Sequence, residues 1–294
     1  MVNLLESVLK HPEYSRQFKC GNSLITAFNC PLTARFSPDR FTALWSHYNY
    51  IFYVIDGRKI WHSADGSYDL HKGKCVFVQK GASIIEQFFD IGFCLVVFFI
   101  PDEFICETLK TKFTPLCNPS KSYKPVMLLD TSEMLATFFL SMSSYFSGTT
   151  EPDQRLLELK FRELILTVAD NPRNTELRSF FCSLLHDPQS VSLRRVMEDN
   201  YSFNLKLEQY AQLCNRSLSA FKRDFQKLFD ISPGKWLMEK RLNHAINLLS
   251  NQYKTVSETA FESGFENSSH FSRAFKERYG ISPVAIKKSI PMAS

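Results

Sequence analysis

Arg223 and Arg273, 50 positions apart, are the residues of this 294-residue chain whose surroundings point most directly to chemistry. Each sits in a Phe-x-Arg-x-Phe string, Phe221-Lys222-Arg223-Asp224-Phe225 and Phe271-Ser272-Arg273-Ala274-Phe275. After three intervening residues each string is followed by an aromatic, and soon after it Ile-Ser-Pro, at Phe229 to Pro233 and at Tyr279 to Pro283. A guanidinium donates in parallel to guanine O6 and N7, a lysine donates to the same atoms, and Ser or His form shorter, less selective bonds to a base edge. The chemistry in prospect is recognition of double-stranded DNA, with no covalent bond made or broken. One such string would be a weak signal. Its recurrence at a fixed displacement, with the same ending, is a strong one.

Groups suited to catalysis are sparse by comparison. His62 and His71 fall in separate elements without ligand spacing. Cys20, Cys30, Cys75, Cys94, Cys106, Cys117, Cys182 and Cys214 are scattered, form no Cys-x-x-Cys, and in several cases sit inside apolar strings. That usage fits reduced, buried thiols better than disulfides or zinc. No metal, no cofactor and no enzyme activity are expected. Residues 191–294 hold 16 Lys+Arg and 10 Asp+Glu, a net +6, whereas residues 1–190 hold 19 and 20, a net −1. The basic excess therefore coincides with the repeat, as a phosphate-binding face requires. No apolar run reaches the roughly 18 residues of a membrane span. The N-terminus has no basic segment followed by a small-residue cleavage site. A cytoplasmic protein with no membrane partner is expected.

The elements that must position the two strings are readable. Phe221, Phe225, Leu228 and Phe229 recur at helical spacing, as do Phe271, Phe275 and Tyr279, which leaves Lys222, Arg223, Arg273 and Lys276 off the apolar stripes. A shorter helix precedes each, Leu207 to Cys214 and Val256 to Ser263, joined by corners at Asn215-Arg216 and Gly264-Phe265. Asn and Gly tolerate the left-handed conformation such a corner needs. Ser217, and Asn267 or Ser268, then cap the second helix of each pair. Helix, short turn and capped helix make a helix-turn-helix unit. Ser232-Pro233 opens a helix to about Leu249, carrying Trp236, Leu237, Arg241, Leu242, Ala245, Leu248 and Leu249. At about 1.5 Å per residue it could hold two reading heads roughly 25 Å apart. Upstream, Ser192 caps a helix to about Tyr201 with Leu193, Val196 and Met197 inward.

The first half reads differently. From Ser23 to about Ile100 short β-branched and aromatic runs alternate with turn signals, favouring a barrel or sandwich. Tyr50 to Ile55 ends at Asp56-Gly57, a hairpin signal, with Arg58 to Ser63 as the return strand. Asp65-Gly66 marks a further turn, and Lys74 to Val78 and Phe93 to Ile100 are further strands. Helices are expected over Asp102 to Lys110, from a Thr131-Ser132 cap to about Phe146, over Asp153 to Asp170 and over Glu176 to His186, with a Pro-containing loop at 113–124. Leu157, Phe161, Leu164 and Val168 are spaced 4, 3, 4. Such a stripe packs on its own sheet or forms a homodimer seam through 153–170. Asp187-Pro188-Gln189-Ser190 is the expected domain boundary.

On Ala260, Ser263-Gly264-Phe265, Ser269 to Lys276 and Tyr279 to Pro283, the region from Ser190 to Lys288 resembles the AraC family of bacterial transcription regulators. The first copy departs at Cys214-Asn215, where the family often has a Ser-Gly-like turn, and the second in Val284-Ala285-Ile286 after its Pro. On His47 to Gly57 and Asp69 to Val78 the first half is more loosely similar to the family's cupin-type sensory domain. Its arrangement also resembles the family's activators of type III secretion, whose N-terminal domains answer to a partner protein. The resemblance implies an α+β chain: an N-terminal cupin-like β-barrel with packed helices (1–187, β-rich over 20–100 and helical over 130–187) that senses or dimerises. A DNA-binding domain (188–294) with two helix-turn-helix units on a long linker helix follows. It implies base contacts from Ser219, Lys222 and Arg223 in the first unit and Ser269, His270, Ser272 and Arg273 in the second. Lys227, Lys276 and Arg278 suit phosphates, and Ser217, Asn267 and Ser268 complete the expected interface. RNA polymerase is an implied partner. The controlling signal is expected to be a small molecule, with a regulatory protein as the alternative. Inward Phe52, Val54, Ile60, Val76 and Val78 without convergent charge would favour the protein. Where metal-holding cupins carry a His-x-His-x3–4-Glu set, this chain has His47-Tyr48-Asn49 with Tyr53 following and no downstream His to complete it.

Overall fold

A computed structural model describes residues 1–10, 15–30, 40–63, 66–88, 92–112, 124–148, 150–186, 190–251 and 254–289. Residues 113–123 of the loop expected at 113–124, Asp65 of the second turn and most of the boundary expected at Asp187 to Ser190 fall outside them. The chain divides into two compact units, Met1–Val191 and Ser192–Ser294.

The first unit stacks two sheets and a layer of helices. Its strands are β1 (Val2–Asn3), β2 (Ser15–Cys20), β3 (Ser23–Cys30), β4 (Phe41–Ser46), β5 (Asn49–Asp56), β6 (Arg58–Ser63), β7 (Gly66–His71), β8 (Cys75–Val78), β9 (Gly81–Glu86), β10 (Phe93–Ile100) and β11 (Val126–Leu129), with α1 (Leu4–Lys10) after β1. One sheet has the order β1-β4-β9-β6-β7 and the other β11-β8-β5-β10-β3-β2. Both cores meet on β5 and its neighbours. Tyr50, Phe52, Val54, Val97 and Phe99 face the first sheet together with Trp61 and Leu44. Ile51, Tyr53, Phe77, Phe98 and Ile100 face the helices. A strand buried on both sides needs a continuous apolar run rather than alternation, which is why residues 50–54 are all apolar and buried.

Two expectations fail here. Asp56-Gly57 does not close a hairpin: β5 pairs with β8 and β10, whereas β6 pairs with β7 and β9 in the other sheet. Gly57 (φ 89°) instead turns the chain between sheets, and a Cβ there would come within 1.9 Å of the Gly92 carbonyl oxygen. The phase of β6 is also the reverse of that expected. Lys59 and Trp61 are buried while Ile60 is half-exposed, because the bulk of Trp61 claims the inward side and carries Lys59 with it. Strands β1, β2 and β11 and helix α1 had no clear sequence signal.

Helices α2 (Asp102–Lys110), α3 (Glu133–Ser147), α4 (Gln154–Asp170) and α5 (Thr175–His186) cover the outer face of the second sheet. Ser132 caps α3 by accepting from Leu135 N, and Asp153 caps α4 by accepting from Arg155 N. Aromatic rings fill much of the space between these helices and the sheet. Tyr53 stacks on Phe139 at 5.0 Å, and Phe98 meets Phe161 edge-on at 5.1 Å. Leu157, Phe161, Leu164 and Val168 are at most 2% exposed within this core. The stripe is therefore occupied by the chain's own sheet and is not a dimer seam.

The second unit is all helical: α6 (Ser190–Asn200), α7 (Leu207–Leu213), α8 (Leu218–Phe229), α9 (Pro233–Asn251), α10 (Val256–Glu262), α11 (Ser268–Tyr279) and α12 (Pro283–Ser289). Helix α6 begins two residues before the Ser192 expected to cap it.

Candidate nucleic-acid interface

The two repeated strings become α8 and α11, each entered through a left-handed corner and a side-chain cap. Asn215 takes φ 52° after α7, and Gly264 takes φ 82° after α10. Ser217 Oγ accepts from Ala220 N at 3.3 Å, and Asn267 Oδ1 accepts from His270 N at 2.8 Å. Asn267, and not Ser268, is thus the cap of α11. Each helix closes in a second left-handed residue, Asp230 or Gly280, again 50 positions apart. At the start of α10 the Thr255 hydroxyl accepts from Glu258 N (3.2 Å) and the Glu258 carboxylate accepts from Thr255 N (2.7 Å). The backbone N–H of Thr255 is the main cause that holds the Glu258 carboxyl below its ordinary pKa.

The Phe stripes point inward. Phe221, Phe225, Phe271 and Phe275 are fully buried. Phe225 stacks on Phe229 at 4.4 Å, and Phe271 meets Phe275 edge-on at 5.4 Å. Leu228, expected on the stripe, is instead 46% exposed. On the outer faces, Ser217, Ser219, Lys222, Arg223 and Lys227 are exposed in the first unit. Asn267, Ser269, His270, Arg273, Lys276 and Arg278 are exposed in the second, and Ser268 and Ser272 are half-buried. The His270 ring lies edge-on against Phe265 at 5.7 Å.

The faces differ in electrostatics. Asp224 bonds both the Arg216 guanidinium of the corner and Arg223 Nε (3.3 Å). Fifty residues on, the corresponding positions hold Ala274 and Glu266. Arg223 thus shares its charge with a carboxylate on its own helix, whereas among the described residues Arg273 forms no ion pair. The signal for this pairing in the sequence is the acid that stands between Arg223 and Phe225.

A further contact, absent from the expected site, lies at the middle of the unit. Arg241 of α9 donates through Nε to Tyr201 O (2.7 Å) and through Nη2 to Phe203 O (2.8 Å). An arginine inside an otherwise apolar inward stripe was the available signal. Tyr279 OH donates to Asn243 Oδ1 (2.9 Å), tying α11 to the same helix.

Two capped helices with buried aromatic stripes and basic, polar outer faces, held on one 19-residue helix, define a DNA-binding protein with two helix-turn-helix units. Residues 210–289 match the model described as helix-turn-helix domain, and residues 49–180 match that of the ExsA N-terminal regulatory domain. The thermoregulatory protein LcrF of Yersinia pestis is 26% identical over 237 residues, covering 79% of this chain and 86% of the relative. The HTH-type transcriptional regulator ExsA of Pseudomonas aeruginosa is 23% identical over 79% of this chain and 84% of its own. Among solved structures, an apo ToxT from Vibrio cholerae covers 92% of this chain and 98% of its own at 13% identity, with a TM-score of 0.42. The chain belongs to the AraC family of transcription regulators.

Proposed function

We propose that this chain activates transcription in the cytoplasm by laying α8 and α11 into two adjacent major-groove segments of one promoter and engaging RNA polymerase there. The observation that carries the reading is the pairing, in both repeats, of a buried Phe stripe with an exposed basic face on a capped helix. In this reading Ser219, Lys222 and Arg223 meet base edges in one segment, and Ser269, His270, Ser272 and Arg273 in the other. Lys227, Lys276 and Arg278 neutralise phosphates. Ser217, Asn267 and Ser268 lie at the helix starts, where unpaired backbone N–H groups favour a phosphate. The two heads are unlike in residues and in charge, so the bound site is asymmetric. Selection of DNA by the full chain from a random pool, followed by footprinting, tests this. Two protected segments of different sequence, about one helical turn apart, are expected. A single protected segment, or equal affinity for selected and random DNA at moderate salt, overturns it.

A second reading concerns the signal. The cavity between the two sheets measures about 60 Å³, against roughly 300 Å³ or more for ordinary ligand pockets. Phe52, Val54, Val76 and Val78 fill the interior, and the charge inside is Lys59, which donates to Gln87 Oε1 at 3.3 Å and lies over the Phe93 ring at 4.7 Å. A filled interior supports control by a regulatory protein over control by a small molecule. A metabolite that raises the unfolding midpoint of the purified chain in proportion to its concentration overturns that preference.

A further inference from the structure

The turn between α6 and α7 is held from three directions. Its first carbonyl, Asn200 O, accepts the hydroxyl of Tyr210 at 2.7 Å, which ties it to the first helix-turn-helix. Its second and fourth, Tyr201 O and Phe203 O, accept the two arms of the Arg241 guanidinium, which tie it to the linker helix. One turn further along that helix, the His244 ring stands edge-on to Tyr201 at 5.6 Å. The corner of the second helix-turn-helix closes on the same place: a Cβ on Gly264 would lie 2.9 Å from Ser202 C and O and 3.0 Å from Arg241 Nε. First head, linker and second head therefore share one backbone turn, with Arg241 at the centre.

The first corner differs. Asn215 is exposed and Gly264 is buried, so the repeat is broken just where the heads must be fixed to each other. A helix between two modules leaves each module free to roll about its own joint. A planar guanidinium forked across two carbonyls on either side of Ser202 removes that freedom, because its two donors have a fixed separation and direction.

We infer that Arg241 is a positioning residue for DNA recognition: by clamping residues 200–203 between the heads it fixes their distance and rotation, and so sets which spacing of the two DNA segments the chain accepts. The inference rests on the two-headed reading proposed above, and the experiment separates the two. Affinities of the full chain are measured for its selected site and for the same site with one base pair inserted or deleted between the segments. Each change moves the second segment by about 3.4 Å and turns it by about 35°. Wild type is expected to lose about tenfold or more on either change, since joint engagement of linked modules is lost when geometry forbids it. Arg241→Met is expected to bind the native spacing about tenfold more weakly but to lose less than about threefold on the shifted sites. Should Arg241→Met bind no DNA at all, Arg241→Lys decides by the same ratio, because one ammonium cannot fork across both carbonyls.

The ratio between spacings is the readout, and simple destabilisation does not move it. Uniform weakening on all three sites, or an unchanged penalty for shifted spacing in the folded variant, overturns the role of Arg241 and leaves the two heads standing. A wild type indifferent to spacing overturns the two-headed reading itself.

Discussion

Exchanging the residues of the two corners separates conformational demand from steric demand. Asn215 and Gly264 both adopt a left-handed backbone, at φ 52° and 82°. Judged by dihedral alone, Asn should serve at either place. Asn215 is exposed, however, while Gly264 is buried with Ser202 backbone atoms 2.9 Å from the position of a Cβ. Those atoms cannot readily yield, because Arg241 bonds the carbonyls on either side of them. Gly264→Asn adds an overpacking cost of about 1–3 kcal/mol to a left-handed strain of about 1 kcal/mol, roughly 2–4 kcal/mol together. Asn215→Gly relieves the strain at a comparable cost in unfolded-state entropy, within about 1 kcal/mol of neutral. Urea unfolding of the full chain, read by hydrogen exchange in peptides from 207–279, confines the measurement to this unit. Gly264→Asn and Asn215→Gly with equal effects, within about 0.5 kcal/mol, would refute the packing argument.

Two further outcomes follow from the cores. Leu164→Ala is expected to cost about 2–5 kcal/mol in urea unfolding and to leave the sedimentation coefficient unchanged, because Leu164 is 0% exposed within its own unit; dissociation without destabilisation would contradict this. Burial is the main cause that holds the His244 imidazole below its ordinary pKa, so the unfolded chain takes up the proton first as pH falls. Stability from this site is full above about pH 6.5 and declines as pH drops through that value toward the lower folded pKa. The stability difference between wild type and His244→Gln should therefore shrink between about pH 7.5 and pH 5.5; a constant difference in the melting midpoints sinks the assignment.

The second unit was legible because local signals decide it. Stripes of Phe at helical spacing, Ser217 and Asn267 before them, and Asn215 and Gly264 at the corners each act within a few residues. The 4, 3, 4 stripe of α4 was legible only as an alternative, since the residues that pack on a sheet and those that pack on a second copy are the same types. Strand pairing was not legible. Asp56-Gly57 is a sound local hairpin signal, but β5 is apolar on both faces and so belongs in the middle of a sheet, paired to strands distant in sequence. The phase of β6 turned on one side chain: Arg58-Lys-Ile-Trp-His-Ser alternates either way, and Trp61 rather than Ile60 took the core. Arg241 and Asp224 were missed for a related reason. Their partners, Tyr201, Phe203 and Arg216, are set by how helices meet, and no periodicity encodes that.

The account stands most directly on base recognition by both heads. The measurement is the affinity of wild type, Arg223→Ala, Arg273→Ala and Lys276→Ala across every single-base-pair substitution of the selected site at fixed salt. Arg223→Ala and Arg273→Ala should each lose about 5- to 150-fold on the preferred sequence and relax discrimination at one position, at different ends of the site. Lys276→Ala should weaken all sequences alike and lower the slope of log affinity against log salt by about 0.9. If both arginine variants keep the wild-type pattern of base preference, or relax the same position, the chain does not read two segments.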